Sequence, residues 1–315
     1  EFRSKIMIDK NETFNGTWPF EAKFSTSAGF MQHYIDEGSK NKEVIICLHG
    51  EPTWGYLYRK MIPTLAKYYR AIVPDHMGFG KSETPQNRIY TLESHVENIS
   101  HLIDDLEINN VTFISQDWGG PIAGAYALKY PDRVSRLCLM NTLLGYSGTL
   151  PNSYPTAWFK WIDEHQKAGT LHGLLGELNS TIVSIMKILG FERMANVDDA
   201  WLQAYSSAFP DRDSCIGAIN FPLDIHLGHC KSFIINSLKL GNLDKVIQKP
   251  AILIEGMNDY AIHPENAIAD FKRLWPNAPI IELNHAGHFC QEDCPETLVA
   301  LLHQFMQMTP LSISQ

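Results

Sequence analysis

The 315-residue sequence lacks any apolar run approaching the roughly 20 residues that cross a bilayer, so we expect no membrane partner. It also lacks a basic excess, since 26 Lys and Arg stand against 35 Asp and Glu for a net charge of −9. Nucleic acids and anionic surfaces attract basic patches, so neither is an expected partner. The first residues lack the apolar stretch of a secretory signal. We therefore expect a cytoplasmic protein, as a monomer or homodimer.

Spacings typical of metal and redox sites are also scarce. Cys290 and Cys294 fit neither a redox pair nor a zinc knuckle, and we expect the six cysteines to be reduced structural thiols. His226 and His229 have ligand-like spacing, but no further ligand is evident beside them. The sequence therefore predicts no metal site.

What the sequence does contain is an alternation of apolar strands and amphipathic helices. After an entry hairpin at 21–26 and 30–35, strands are predicted at 43–48, 70–75, 111–115, 137–141, 249–255 and 279–283, and helices at 56–67, 92–106, 121–130, 265–274 and 296–306. Such alternation with apolar strands predicts an α/β fold with a mostly parallel sheet covered on both faces.

The alternation stops between residues 144 and 229, where the chain is helical in pattern and rich in aromatic residues. This block predicts a helical cap, or lid, inserted into one α/β domain. The core domain would then comprise residues 1–143 and 230–315. A cap over the carboxyl ends of the strands would exclude water from a site there.

The strand at 111–115 runs into Ser115-Gln-Asp-Trp-Gly-Gly120, which a helix-compatible stretch follows. Strand, tight turn and helix form the context of the nucleophile elbow, normally G-x-S-x-G. Here Asp117 takes the place of the serine. The predicted nucleophile is therefore a carboxylate.

A nucleophile needs a base and a group that orients it, and in this topology the acid precedes the histidine in the chain. Asp259 follows the strand at 249–255, and His288 follows the strand at 279–283. His285 is an alternative base in the same loop. An alternative acid could follow the strand at 137–141, but Asn141-Thr-Leu-Leu-Gly145 offers no carboxylate. We therefore predict Asp259 as the acid and His288 as the base.

A carboxylate nucleophile restricts the chemistry. Serine attack on a saturated carbon would leave an ether, whereas Asp117 leaves an ester that water, activated by His288, can hydrolyse. The oxyanion of that step needs N–H donors, and the backbone amides of Glu51 and Trp118 are candidates. The expected reaction is therefore displacement at saturated carbon or ring opening.

Six motifs of this sequence resemble haloalkane dehalogenases, in the branch with glutamate after the His-Gly pair and the acid after the late strand. The motifs are His49-Gly-Glu-Pro-Thr-Trp-Gly-Tyr-Leu-Tyr-Arg-Lys-Met-Ile-Pro63, Gln116-Asp-Trp-Gly-Gly120, Ala208-Phe-Pro-Asp211, Gly217-Ala218 with Phe221-Pro222, Ala286-Gly-His-Phe289 and Gln291-Glu-Asp293. The resemblance implies the α/β-hydrolase fold and hydrolysis of a carbon–halogen bond in a small halogenated aliphatic substrate. The products would be an alcohol, a halide ion and a proton, without a cofactor, and the triad would be Asp117, Asp259 and His288.

The resemblance also implies two side-chain N–H donors for the halide. Trp118 takes the first role, and the aromatic-x-x-Trp spacing assigns the second to Trp161, with Trp158 as the alternative. Glu51 cannot donate when ionised, which makes a cap tryptophan necessary. Predicted pocket residues are Trp158, Phe209, Phe221 and Pro222.

The strongest competing enzyme is an epoxide hydrolase with the same triad. Such enzymes need cap tyrosines, and Tyr146, Tyr154 and Tyr205 are available, but Glu51-Pro52 departs from their motif after His-Gly. A β-lactone decarboxylase, a coelenterazine-type luciferase and a catalytically inactive hormone receptor are weaker alternatives. Halide release from a haloalkane separates the leading pair.

Overall fold

The computed structural model describes residues 5–146, 151 and 154–311. These contain an eight-stranded sheet in the order β1-β2-β4-β3-β5-β6-β7-β8. The strands are β1 (Lys23–Ser25), β2 (Gln32–Glu37), β3 (Val44–Leu48), β4 (Arg70–Pro74), β5 (Val111–Gln116), β6 (Val134–Met140), β7 (Ala251–Asn258) and β8 (Ile280–Gly287). The pairs β1–β2 and β2–β4 are antiparallel, and every other pair is parallel.

The apolar composition of the central strands explains their position. Every residue of β5 is buried, so both faces of this strand are covered, as expected for the middle of a parallel sheet. The predicted fold class, an α/β-hydrolase fold with a mostly parallel sheet, is confirmed.

Thirteen α-helices lie within the described part of the chain. They are α1 (Ile62–Tyr68), α2 (Leu92–Asp105), α3 (Gly119–Lys129), α4 (Ala157–Ala168), α5 (Leu171–Leu175), α6 (Leu178–Leu189), α7 (Asp199–Ser206), α8 (Ile216–His226), α9 (His229–Leu238), α10 (Leu243–Ile247), α11 (Pro264–Leu274), α12 (Cys290–Asp293) and α13 (Pro295–Met308). The helices α4–α10 form the insertion between β6 and β7. Because α9 and α10 contact core helix α3, we propose that the cap ends near 229, as the sequence predicts.

Two elements differ from their predicted form. The helix predicted at 56–67 is divided into a 3₁₀ turn, Gly55–Tyr58, and α1, which has Pro63 in its first turn, where no intrahelical N–H donor is needed. The strand predicted to end at 283 continues as β8 to Gly287, which pairs with Asn258 across an irregularity in β7. This extension carries the sheet up to His288.

Candidate active site

The turn after β5 places Asp117 at the carboxyl edge of the sheet. Asp117 has a φ of +49°, in the left-handed region that non-glycine residues rarely occupy. A Cβ atom at Gly119 would lie 2.5 Å from the carbonyl oxygen of Leu48, so this turn requires glycine there. The Asp117 side chain is 13% exposed, which leaves its carboxylate accessible from one side.

The three predicted triad residues lie together at this edge. Nδ1 of His288 is 2.8 Å from Oδ2 of Asp259, and Nε2 of His288 is 3.4 Å from Oδ2 of Asp117. Among the described residues, Nε2 has no hydrogen-bond partner. His288 is therefore held by Asp259 on one side and presents a free nitrogen toward Asp117 on the other.

Backbone and amide groups fix the Asp259 carboxylate. Its Oδ1 accepts hydrogen bonds from the N–H groups of Ala261 and Ile262, each at 2.8 Å. Its Oδ2 accepts a hydrogen bond from Nδ2 of Asn141 at 3.0 Å. Asn141, which the sequence analysis considered only as a missing carboxylate, thus supports the acid on the neighbouring strand.

Charge and burial act in opposite directions on the base. Burial lowers the pKa of His288, but the carboxylates of Asp259 and Asp117 outweigh it and raise this pKa to about 10. These two carboxylates therefore favour the imidazolium form of His288 at neutral pH.

Glu51 lies beside the nucleophile, and its backbone and side chain have separate parts in the site. Its backbone N–H donates to Oδ1 of Asp117 at 2.8 Å, in the position proposed for an oxyanion donor. Burial and the charge of Asp117 raise the pKa of the Glu51 carboxyl well above its usual value. Both causes favour the neutral form of the side chain, whereas the sequence analysis considered Glu51 as an ionised group.

Beside Asp117 lies a cavity of about 320 Å³ with mostly apolar walls. Its lining includes Glu51, Trp118, Thr142, Tyr154, Trp158, Phe159, Leu189, Pro222, Ile225, Cys230, Ile262 and His263. Such a volume lies at the lower end of the range for ligand sites and suits a small apolar molecule.

The predicted pocket residues divide into two layers. Trp158 and Pro222 line the cavity, whereas Phe221 stacks on the Trp118 ring with centroids 4.3 Å apart. Phe209 lies further back, in edge-to-face contact with Phe79 at 6.1 Å. Phe221 and Phe209 thus support the Trp118 side of the cavity from behind.

The two cap tryptophans also differ in position. Trp158 and Trp161 stack in α4 with ring centroids 5.4 Å apart, but Trp158 lines the cavity and Trp161, which is half-buried, does not. In the described part of the chain, neither indole N–H of Trp118 and Trp158 has a hydrogen-bond partner. The geometry favours Trp158 over the predicted Trp161 as the second halide donor.

The alternative tyrosines also differ in position. The Tyr146 hydroxyl donates to the carbonyl of Gly124, and the Tyr205 hydroxyl donates to Glu292 at 2.7 Å. Tyr154 lines the cavity. Two of the three candidate epoxide-protonating groups are thus engaged outside the cavity.

Sequence reasoning missed the residues that attach the cap to the His288 loop. Glu292 binds the Arg59 guanidinium through both oxygens and also accepts from Tyr205 of α7. Asp293 accepts from the backbone N–H of Arg193 at 2.8 Å and of Gly287 at 2.8 Å. The motif Gln291-Glu-Asp293 was noted only for its resemblance, and its burial was the missing signal.

In the described residues, no group of three or more His, Cys, Asp or Glu side chains is arranged to hold a metal ion. The same residues include no helix with the length and apolar character needed to span a bilayer.

Comparison with known proteins places this geometry in a family. A family model described as alpha/beta hydrolase fold matches residues 43–295, and the chain belongs to this family. A haloalkane dehalogenase of Psychrobacter cryohalolentis is 33% identical over 88% of each chain. A cis-3-alkyl-4-alkyloxetan-2-one decarboxylase of Xanthomonas campestris is 30% identical over 90% of this chain and 94% of the relative.

A solved haloalkane dehalogenase structure is similar to nearly the whole chain. The tetrameric haloalkane dehalogenase of Paraglaciecola agarilytica NO2 has a TM-score of 0.75 and 26% identity, covering 96% of this chain and 97% of its own. The predicted resemblance to haloalkane dehalogenases is therefore confirmed at the level of the family, which also includes the oxetanone decarboxylases among this chain's relatives.

Proposed function

We propose that the protein is a haloalkane dehalogenase that acts on small haloalkanes through an ester on Asp117. One observation carries the proposal: a carboxylate at the nucleophile elbow faces an apolar cavity whose wall includes two indoles, Trp118 and Trp158, with unengaged N–H groups. A halide ion that forms in apolar surroundings needs such donors, and indole supplies an N–H without an acceptor.

In the first step, a carboxylate oxygen of Asp117 attacks the carbon that bears the halogen. The carbon–oxygen bond forms as the carbon–halogen bond breaks, and the electron pair leaves with the halide. The indole N–H groups of Trp118 and Trp158 stabilise the charge that develops on the halogen.

The ester then changes the state of His288. Because esterification removes the charge of Asp117, one of the two groups that raise the pKa of His288 is lost, and the imidazolium can release its proton. Neutral His288 accepts a proton from water at Nε2, and the water oxygen adds to the carboxyl carbon of Asp117. The N–H groups of Glu51 and Trp118 stabilise the oxyanion, whose collapse breaks the bond between the carboxyl carbon and the alkoxide oxygen. The alkoxide takes the remaining proton of the added water and leaves as the alcohol, so Asp117 is again a carboxylate and His288 an imidazolium.

The oxetanone decarboxylases are the main competing assignment, since they are relatives of similar identity. Their named substrate carries alkyl groups at two ring positions, whereas the cavity here has a volume of about 320 Å³. Epoxide hydrolysis is disfavoured by the engagement of Tyr146 and Tyr205 outside the cavity. The cavity therefore supports the smaller haloalkane substrate.

The test is halide and proton release from 1-bromobutane and 1,2-dibromoethane. We expect turnover by the wild type and none by Asp117→Ala, while Asp132→Asn, an exposed acid outside the site, keeps wild-type activity. Turnover of styrene oxide, or carbon dioxide release from a dialkyl oxetanone, with no halide from either haloalkane would overturn the proposal.

A monomer or homodimer stays our prediction for the assembly, although the relative from Paraglaciecola agarilytica is named as a tetramer. Light scattering after size-exclusion chromatography measures the mass directly and would reveal a tetramer.

A further inference from the structure

One buried acid beside the proposed triad has no role in the mechanism above. Glu255, in β7, is fully buried four residues before Asp259. Its Oε1 lies 3.4 Å from Nδ2 of Asn141, and its Oε2 has no hydrogen-bond partner among the described residues. An acid in an apolar strand is costly, since a buried carboxylate loses its solvation and one oxygen of this group has no partner to replace it.

The Asn141 amide connects this acid to the triad. Its Nδ2 lies 2.9 Å from the backbone carbonyl oxygen of Gly256, 3.0 Å from Oδ2 of Asp259 and 3.4 Å from Oε1 of Glu255, so its two hydrogens are shared among three acceptors and the contact with Glu255 is the longest. Its Oδ1 accepts the backbone N–H of Gly256 at 2.9 Å, which fixes the orientation of the amide. One side-chain NH₂ group thus lies between two carboxyl groups.

Charge decides how many of these carboxyl groups are ionised. Burial and the charge of Asp259 raise the pKa of Glu255 well above its usual value, and His288 is the opposing cation. The buried thiol of Cys290 also faces Glu255, and burial raises its pKa as well, so it adds no charge at neutral pH. Neighbouring buried carboxyls cannot both ionise at low cost, so this group of residues favours one negative charge.

We propose that the catalytic acid is a carboxyl pair, Glu255 and Asp259, which holds one negative charge and is bridged by the Asn141 amide. Asp259 is the member of the pair that bonds Nδ1 of His288 and accepts two backbone N–H groups. Glu255 is a second positioning residue. It ionises when Asp259 loses its charge, and it then stabilises the His288 imidazolium. The kinetic part of this inference rests on the proposed function.

The kinetic test compares hydrolysis of the butyl ester in single turnovers of three variants. Without a replacement acid, Asp259→Asn should lose on the order of 10⁴-fold in rate. If Glu255 replaces the lost acid, the rate of ester hydrolysis in Asp259→Asn should rise with pH as Glu255 ionises. At alkaline pH it should exceed that of Asp259→Asn/Glu255→Gln by at least about tenfold.

The matched control is Asp259→Asn/Asp224→Asn, which neutralises a buried acid that caps α2 at Leu92, away from the triad. It should keep the pH-dependent rate of Asp259→Asn. Equal rates for Asp259→Asn and Asp259→Asn/Glu255→Gln at every pH would overturn the inference.

A second measurement needs no substrate, so its failure is separate from failure of the proposed function. The infrared difference spectrum of wild type minus Glu255→Gln at pH 7 should show loss of a protonated carboxyl C=O band. Loss of a carboxylate band instead would show that Glu255 is ionised at rest and would overturn the inference. The circular dichroism spectrum of Glu255→Gln checks that the variant is folded.

Discussion

The core and the cap contribute to the candidate site in different ways. The core supplies Asp117, Asp259 and His288 from the ends of three strands, and backbone hydrogen bonds and strand register fix each position. The cap supplies Trp158 from α4, whose position depends on packing against other helices and not on strand register. The core therefore determines which chemistry is available, whereas the cap shapes the cavity and, in the proposed function, supplies the second halide donor.

Breaking the attachment between the two regions should have the largest effect. Glu292→Ala leaves the buried Arg59 guanidinium without its partner and removes the acceptor of Tyr205 in the cap. Loss of one partner of a buried pair costs about 3–5 kcal/mol, so the free energy of unfolding should fall by this amount in urea denaturation.

Glu296→Ala is the control, because Glu296 is an exposed acid in the next helix. It should change the free energy of unfolding by less than about 1 kcal/mol. Equal urea midpoints for Glu292→Ala and the wild type would contradict the idea that Glu292 joins cap and core.

Removing the core halide donor should have the next largest effect. Trp118→Phe keeps the stacking partner of Phe221 but loses the N–H group, and loss of one such donor costs about 10²–10³-fold in kcat. The measurements are kcat for 1-bromobutane and the Kd of bromide. Trp201→Phe, which removes a buried indole of α7 outside the cavity lining, should leave both nearly unchanged. A matching loss in Trp201→Phe would show that the effect is structural.

Substitutions of the two cap tryptophans in α4 test which of them is the second halide donor. Trp158→Phe should weaken bromide binding and lower kcat by about 10–100-fold, slightly less than Trp118→Phe, because a donor on a cap helix is held less rigidly. Trp161→Phe should change either quantity by less than about threefold, since Trp161 does not line the cavity. Larger losses in Trp161→Phe than in Trp158→Phe would assign the second halide donor to Trp161, as the resemblance implies.

The smallest expected effect concerns pH and the neutral acid beside Asp117. In the folded protein the pKa of Glu51 is raised. The contribution of Glu51 to the free energy of unfolding is therefore fully present below the unfolded pKa of about 4.3, and it declines as the pH rises toward the pKa in the folded protein. Glu51→Gln removes this decline. Its melting temperature should therefore fall less than that of the wild type between pH 6 and pH 9.

The control is Glu282→Gln, at an exposed position of β8, which should follow the wild type. His288 contributes in the same direction, because its pKa is raised to about 10 and its stabilisation is lost between about pH 6.5 and 10. A Glu51→Gln variant that follows the wild type over this range would show that Glu51 is ionised in the folded protein.

The sequence predicted the core better than the cap, for physical reasons. Buried strands carry a continuous apolar signal, and parallel strands bring their carboxyl ends to one edge, so Asp117, Asp259 and His288 could be predicted to lie together, as they do. The choice between Trp158 and Trp161 depends on the rotation of α4, which local sequence does not determine. The ionisation of Glu51 and the location of Glu255 beside Asn141 depend on burial and register, which emerge only in the folded chain.

The formation of an ester on Asp117 is the central claim, and a trapping experiment tests it most directly. His288→Gln removes the base, so the first step should proceed while hydrolysis stops, and incubation with 1-bromobutane should add one butyl group to the intact mass. Proteolysis should locate this group on the peptide that contains Asp117. An unmodified variant, or a butyl group on Cys230 of the cavity wall instead, would contradict the account.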